Sequence, residues 1–138
     1  MEMLPKDFSQ FQVANLAGLG AIYWGVAAYI LRRFGPAVFA NDLRRLSMFL
    51  SLVPVSYIVI RFSEALVGIN LKDRVTSTAI MCSSALLLDG IAFMWFPTIY
   101  ENPELKQKNQ HAVVTVSRMA AASILGGVGI ILAVALLT

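Results

Sequence analysis

The sequence predicts an all-α integral membrane protein, a polytopic four-helix bundle with short loops. Four apolar segments fill most of the 138 residues, and each approaches or exceeds the ~20 residues that span a ~30 Å hydrocarbon core. The chain is 58% hydrophobic and 14% charged, which is far more apolar than a soluble domain. Because the connections leave no room for a second domain, residues 1–138 are predicted to form one transmembrane domain. The predicted helices cover about residues 14–33, 43–70, 75–99 and 112–137.

Polar and helix-breaking residues set the predicted ends of the first two helices. Asp7 or Ser9 is suited to cap the first helix, because its side-chain oxygen can accept hydrogen bonds from free backbone N–H groups. Gly35-Pro36 is expected to break the chain after the first helix. Asn41-Asp42 supplies caps for the second helix.

The third and fourth segments are separated by the longest hydrophilic stretch, residues 101–111. Trp95 lies near the end of the third segment and Tyr100 lies just beyond it. Both are predicted to lie in the belt of aromatic side chains at a membrane–water interface.

Small residues mark two faces at which another helix can approach closely. Ala21 and Gly25 have the small-xxx-small spacing in the first helix. The last helix carries a glycine-rich face formed by Gly126, Gly127 and Gly129. We expect both faces to contact a helix of the bundle or of a partner.

Loop charges predict the orientation, because cytoplasmic loops are enriched in lysine and arginine. The side with both termini and the loop between the second and third helices carries Lys6, Lys72 and Arg74. The opposite side carries Arg32, Arg33, Arg44, Arg45, Lys106 and Lys108. Both termini are therefore predicted to lie outside, and the membrane is expected to be the inner membrane of a bacterium.

Composition excludes several kinds of site. The net charge of +3 is scattered over helix ends without a basic stripe, so nucleic-acid binding is not expected. Cys82 and His111 are the only residues of their types, which excludes an internal disulfide, a Cys/His zinc site and a haem held by two histidines of this chain. No metal or cofactor is predicted, although lipid or pigment contacts stay open. We interpret His111 as a solvated helix-entry residue in preference to an axial ligand.

Four charged residues lie within or near the apolar segments: Arg61, Glu64, Asp89 and Arg118. A charge at the centre of a membrane helix costs about 2.5–3.5 kcal/mol on insertion scales, so each needs a partner. Arg61 and Glu64 share a helix face. We expect Asp89 to meet Arg61 across a tight turn between neighbouring helices, and to meet Arg118 from the other side. The cluster is interpreted as a set of internal salt bridges, with an ion or proton pathway through Glu64 and Asp89 as the alternative.

Sequence motifs for catalysis are not found. The chain has no P-loop, GxSxG, HExxH or CxxC pattern. Its helix serines have no histidine near them in sequence, and such hydroxyls usually bond to the preceding backbone turn.

One stretch resembles a known group of proteins. Leu86-Leu87-Leu88-Asp89-Gly90, followed by Phe96-Pro97-Thr98-Ile99-Tyr100-Glu101-Asn102, is similar to a pattern in small uncharacterised bacterial four-helix integral membrane proteins. In that group an Asp-containing third helix ends in a Phe-Pro step before an apolar last helix. The resemblance implies fold and topology and supplies no activity.

We expect a non-enzymatic accessory or structural subunit of a larger membrane complex, of respiratory or photosynthetic type. Its partners would be membrane lipids and either another membrane protein or further copies of this chain. The first alternative is a small homo-oligomeric transporter or channel that uses Glu64 and Asp89. The second is a membrane enzyme that modifies a lipid.

Overall fold

The computed structural model describes residues 8–138, so Lys6 and the alternative cap Asp7 lie outside the described residues. Within that range the chain is helical and no strand is found. The helices are α1 (Gln10–Val38), α2 (Asp42–Val67), α3 (Arg74–Trp95), α4 (Pro103–Lys108) and α5 (Gln110–Leu137). Two single 3₁₀ turns, Leu71–Asp73 and Pro97–Tyr100, lie on either side of α3.

Four helical segments are long and apolar enough to cross a membrane: α1, α2, α5, and α3 together with the turn before it. Their mean hydropathy ranges from 1.4 in α1 to 2.5 in α5. In the most apolar part of α1 and of α2 only 17% of the residues are buried inside the bundle. Most apolar side chains of these two helices therefore face outward.

The bundle is organised around α1 and α5. Helix α1 packs most extensively on α3, and α5 packs on α1, α2 and α3. Helices α2 and α3 contact each other at only a few points, so the predicted close pairing of these sequence neighbours is wrong. The buried centre consists of Ala28, Leu31, Phe39, Ala92, Tyr100, Ala120, Ala121 and Ile124.

Two predicted helix caps are confirmed, although α1 begins at Gln10, before the predicted start near residue 14. The Ser9 side chain accepts a hydrogen bond from the backbone of Gln12, whose own side chain bonds back to the Ser9 backbone, which is the reciprocal arrangement of a capping box. Asn41 caps α2 by accepting from the backbone N–H of Arg44 at 2.9 Å. Helix α2 ends earlier than predicted, because Gly68 adopts the left-handed conformation with φ 70° that commonly terminates helices.

Helix α1 continues through Gly35-Pro36 to Val38, so the predicted break at that pair is wrong. A proline inside a helix removes the N–H that would bond to the carbonyl four residues earlier, which here belongs to Arg32. The side-chain amide of Asn102 donates to that Arg32 oxygen at 2.9 Å and to the Arg33 oxygen at 3.3 Å. Asn102 thus satisfies the carbonyl that Pro36 leaves without a partner, and the helix can continue.

Helix α3 ends at Trp95, four residues before the predicted end. Phe96 precedes Pro97 and leaves the helical conformation, with φ −131° and ψ 53°, because a proline disfavours helical geometry in the residue before it. The 3₁₀ turn that follows folds the chain back and buries Tyr100, which is 1% exposed. The predicted interfacial position of Tyr100 is therefore wrong, whereas Trp95 is 65% exposed.

Candidate functional site

Asp89 lies in a small polar site inside the bundle, between α1, α3 and the turn after α3. The Tyr100 hydroxyl donates to Oδ1 of Asp89, and the indole Nε1 of Trp24 donates to the same oxygen at 3.3 Å. Asp89 is 7% exposed. It precedes the last residue of α3 by six positions, which places it about 9 Å from that helix end.

Both donors to Asp89 are neutral. Burial raises the pKa of the Tyr100 phenol, which keeps its hydroxyl protonated and able to donate. Among residues 8–138 no cation forms an ion pair with Asp89. The site is thus a buried carboxyl held by a phenol and an indole, without an ionic partner among the described residues.

The structure does not bring together the four charged residues of the predicted cluster. Arg61 bonds to Glu64 and not to Asp89, because α2 and α3 diverge instead of packing along their length. Arg118 lies on an exposed part of α5, and it has no ion pair within the described part of the chain. The predicted contacts of Asp89 with both arginines are therefore wrong.

Glu64 forms a second polar site, at the end of the bundle where α2 turns into α3. Its Oε1 accepts from Arg74 Nε at 2.5 Å, and its Oε2 accepts from Arg74 Nη2 at 3.1 Å. Oε2 also accepts from Arg61 Nη1 at 3.1 Å. Glu64 and Arg74 are both buried, whereas half of the Arg61 side chain is exposed. The pair predicted between Arg61 and Glu64 is present, with Arg74 as the closer partner.

The position of Arg74 in the sequence predicts a loop residue and does not reveal its pairing with Glu64. The N–H groups of Gly68 and Ile69 both bond to the Glu64 carbonyl, at 2.9 and 3.0 Å, and close the end of α2. The chain then makes one 3₁₀ turn and starts α3 at Arg74, next to the Glu64 carboxylate. The sequence does contain a signal for this pair, because Glu64 and Arg74 have opposite charges and lie on either side of Gly68, which ends α2.

The closest helix contact lies at Gly20, between α1 and α3. A Cβ at Gly20 would lie 2.9 Å from the Met81 carbonyl carbon and closer still to the Met81 oxygen and to Ser84 Oγ. Ser84 Oγ donates to the Ala17 carbonyl at 2.8 Å across this contact. Tyr23, also on α1, shares a hydrogen bond of 2.9 Å with Ser63 on α2. These contacts connect α1 to both neighbours.

The predicted small-residue faces are only partly used inside the bundle. A Cβ at Gly126 would meet Phe49 at 2.8 Å, and one at Gly127 would meet Leu52 at 3.8 Å, so this part of α5 packs against α2. A Cβ at Gly25 or at Gly129 would have no atom within 4 Å, and Ala21 is only half-buried. The close approach within the bundle occurs at Gly20, and the outward positions have room for a neighbour.

An exposed ion pair connects the segment after α3 to the end of α1. Arg33 Nη1 lies 2.9 Å from Glu104 Oε1. This hydrogen bond with the guanidinium lowers the pKa of Glu104, so the pair persists to a lower pH than an isolated carboxylate would allow. Lys106 and Glu101 form a further pair at 2.5 Å.

The single histidine and the single cysteine do not belong to a metal site among the described residues. His111 lies exposed in the first turn of α5 and Cys82 is buried. In the described range no group of three or more His, Cys, Asp or Glu side chains could hold a metal ion. Comparison of the chain with known protein families, with curated proteins and with solved structures finds no match. The resemblance to small bacterial four-helix membrane proteins therefore stays a prediction.

Proposed function

We propose that this chain is an integral membrane protein and a non-enzymatic accessory subunit of a larger membrane complex. The four long apolar helices, with most apolar side chains turned outward, support insertion in a bilayer. The loop charges support a bacterial inner membrane with both termini outside. The respiratory or photosynthetic type of the complex remains the expectation from sequence.

The observation that carries the proposal is an outward face of α1 that contains two glycines without a neighbour inside the bundle. Gly18 and Gly25 are two turns apart on one helix face, and a Cβ at either position would have no atom within 4 Å. Ile22 and Tyr29, on the same face, are 61% and 67% exposed. Since helix association in lipid depends on close packing and not on a hydrophobic drive, this face suits a helix of another membrane protein.

The partners of the buried carboxyls also support a structural role. Glu64 is held by an arginine across the turn between α2 and α3. Asp89 is held by donors from α1 and from the turn after α3. Each carboxyl therefore connects separate elements of the bundle, as expected of residues with a structural role.

Purification in mild detergent tests the proposal, with wild type compared to three variants. Gly25→Leu should leave the bundle folded and remove the co-migrating partner, because the side chain fills the space that a partner helix needs. Val26→Leu, at a neighbouring exposed site, should change neither the fold of the bundle nor the recovery of the partner. Gly20→Leu should lose both the folded bundle and the co-migrating partner, because the new side chain separates α1 from α3. Recovery of an intact complex with Gly25→Leu, or of wild type without any partner, would refute the proposal.

A second candidate function is a homo-oligomeric transporter or channel that moves protons. It is favoured by the burial of Asp89 beside neutral donors alone, because acidic side chains inside membrane bundles mark ion or proton pathways. Glu64 is held by buried Arg74 at the other end of the bundle, so Asp89 would act without it. Proton flux into liposomes that contain the pure protein, lost in Asp89→Asn, would establish this function in place of the first. No contact among the described residues favours the lipid-modifying enzyme.

A further inference from the structure

Among the described residues that bond to one another at the Glu64 site, Arg61 and Arg74 together carry one more charge than Glu64. Arg74 occupies both oxygens of Glu64 and is itself buried, so this pair is complete. Arg61 adds a second guanidinium that bonds to Glu64 through Nη1 alone. A surplus cation that lies about 9 Å from the end of α2 favours an anion beside it.

The exposed part of Arg61 borders an open hollow. The hollow has a volume of about 170 Å³ and is lined by Arg61, Glu64, Ala65, Ile69 and Leu71. Half of the Arg61 side chain is exposed, so the nitrogens not engaged by Glu64 are accessible. A guanidinium can donate two parallel hydrogen bonds to a phosphate.

A larger apolar groove lies on the same side of α2. It has a volume of about 580 Å³ and lies between α2 and the end of α5, lined by Val53, Pro54, Tyr57, Ile58, Val134, Leu137 and Thr138. Positions 54, 57, 58, 61 and 65 recur at the spacing of one helix face. The groove therefore lies on the same face of α2 as Arg61 and nearer the middle of the helix, with Pro54 about 10 Å from Arg61 along the helix axis.

We propose that this face binds one anionic phospholipid, with its phosphate on Arg61 and an acyl chain in the groove. The occupant follows from the order of the chemistry along α2, a surplus cation near the helix end followed by an apolar channel toward the centre. An apolar partner helix would fill the groove but leave the cation without an anion. The inference rests on the membrane insertion proposed above, and it adds a specific lipid to the general lipid contact.

Native mass spectrometry of the full chain, released from phosphatidylcholine nanodiscs with a minority of phosphatidylglycerol, tests the site. Wild type should retain phosphatidylglycerol in preference to phosphatidylcholine. Arg61→Gln should weaken this retention about tenfold, the size expected for a lost charged hydrogen bond. Arg118→Gln removes an exposed arginine elsewhere and should have no effect. Equal loss in both variants, or none in Arg61→Gln, would overturn the proposal.

Three further measurements complete the test. Ile58→Trp, at a 64% exposed position, fills the groove without touching the charges and should also lower retention. Inorganic phosphate added to phosphatidylcholine nanodiscs should stabilise the protein less than phosphatidylglycerol does. Equal stabilisation would show an anion site without a lipid tail and would overturn the groove assignment.

Carbonate extraction of wild-type membranes separates the proposal of membrane insertion from the proposal of a lipid site. Protein that is extracted refutes membrane insertion, whereas protein that stays but shows no lipid preference refutes the lipid site alone.

Discussion

Replacing Gly20 by alanine should weaken the bundle, although the change adds one methyl group. The new Cβ would lie 2.9 Å from the Met81 carbonyl carbon and closer still to the Met81 carbonyl oxygen, and because both are backbone atoms α1 and α3 must separate. Such overpacking costs about 1–3 kcal/mol. The separation also stretches the hydrogen bond from Ser84 to Ala17, which contributes about 0.5–1.5 kcal/mol. Alanine returns up to about 1 kcal/mol through its higher helix propensity.

The net expectation is a loss of about 0.5–4.5 kcal/mol in the free energy of unfolding. Gly18→Ala and Gly25→Ala are matched controls, since nothing lies within 4 Å of either new methyl, and both should be neutral or gain up to about 1 kcal/mol. Unfolding in detergent, followed by circular dichroism, measures all three variants. If Gly20→Ala were as stable as the two controls, the packing argument for the α1–α3 contact would be refuted.

Three further predictions concern other parts of the molecule. Glu64→Gln should lower the free energy of unfolding by about 3–5 kcal/mol in the same assay, because it leaves a buried guanidinium without its anion; a neutral result would contradict the assignment of a tight pair. Asn102→Ala should cost about 1–3 kcal/mol, the penalty for a buried acceptor without a donor, and Pro36→Ala in the same chain should recover part of it by restoring a backbone N–H; additive losses would contradict the link between these residues. Cysteine introduced at Ser9 should react with an impermeant thiol reagent on intact cells and cysteine at Asn41 should not, and the opposite labelling would reverse the proposed orientation.

The four long helices could be predicted from the sequence because segment length and apolarity depend on the chain alone. Ser9 and Asn41 were recognisable as caps for the same local reason. The hydrogen-bond partners of Asp89 could not be predicted, since Tyr100 reaches it only after the chain folds back at Phe96-Pro97. Considered by charge alone, Asp89 is expected to pair with an arginine, and nothing near it in the sequence indicates that the Tyr100 hydroxyl is its hydrogen-bond donor.

The contact of α1 with α3 at Gly20 could not be predicted, for another physical reason. Apolar residues surround α1 on all sides, so its sequence has no distinct polar face to show which side turns inward. The rotation of α1 is set by its contacts with other helices, through Gly20 with α3 and through Tyr23 with α2. Such contacts depend on several segments at once, and no single spacing in the sequence records them.

The segment after α3 leaves little freedom to lengthen the chain there. Tyr100, Asn102 and Glu104 each attach it to a different point, on Asp89, Arg32 and Arg33 respectively. One residue inserted between Pro97 and Glu104 would shift these attachments out of register together. Asn109 and its neighbours, between α4 and α5, are exposed and lie beyond the last of the three attachments. A reporter or affinity tag placed at this junction should be accepted, whereas the same tag six residues earlier should prevent the bundle from closing.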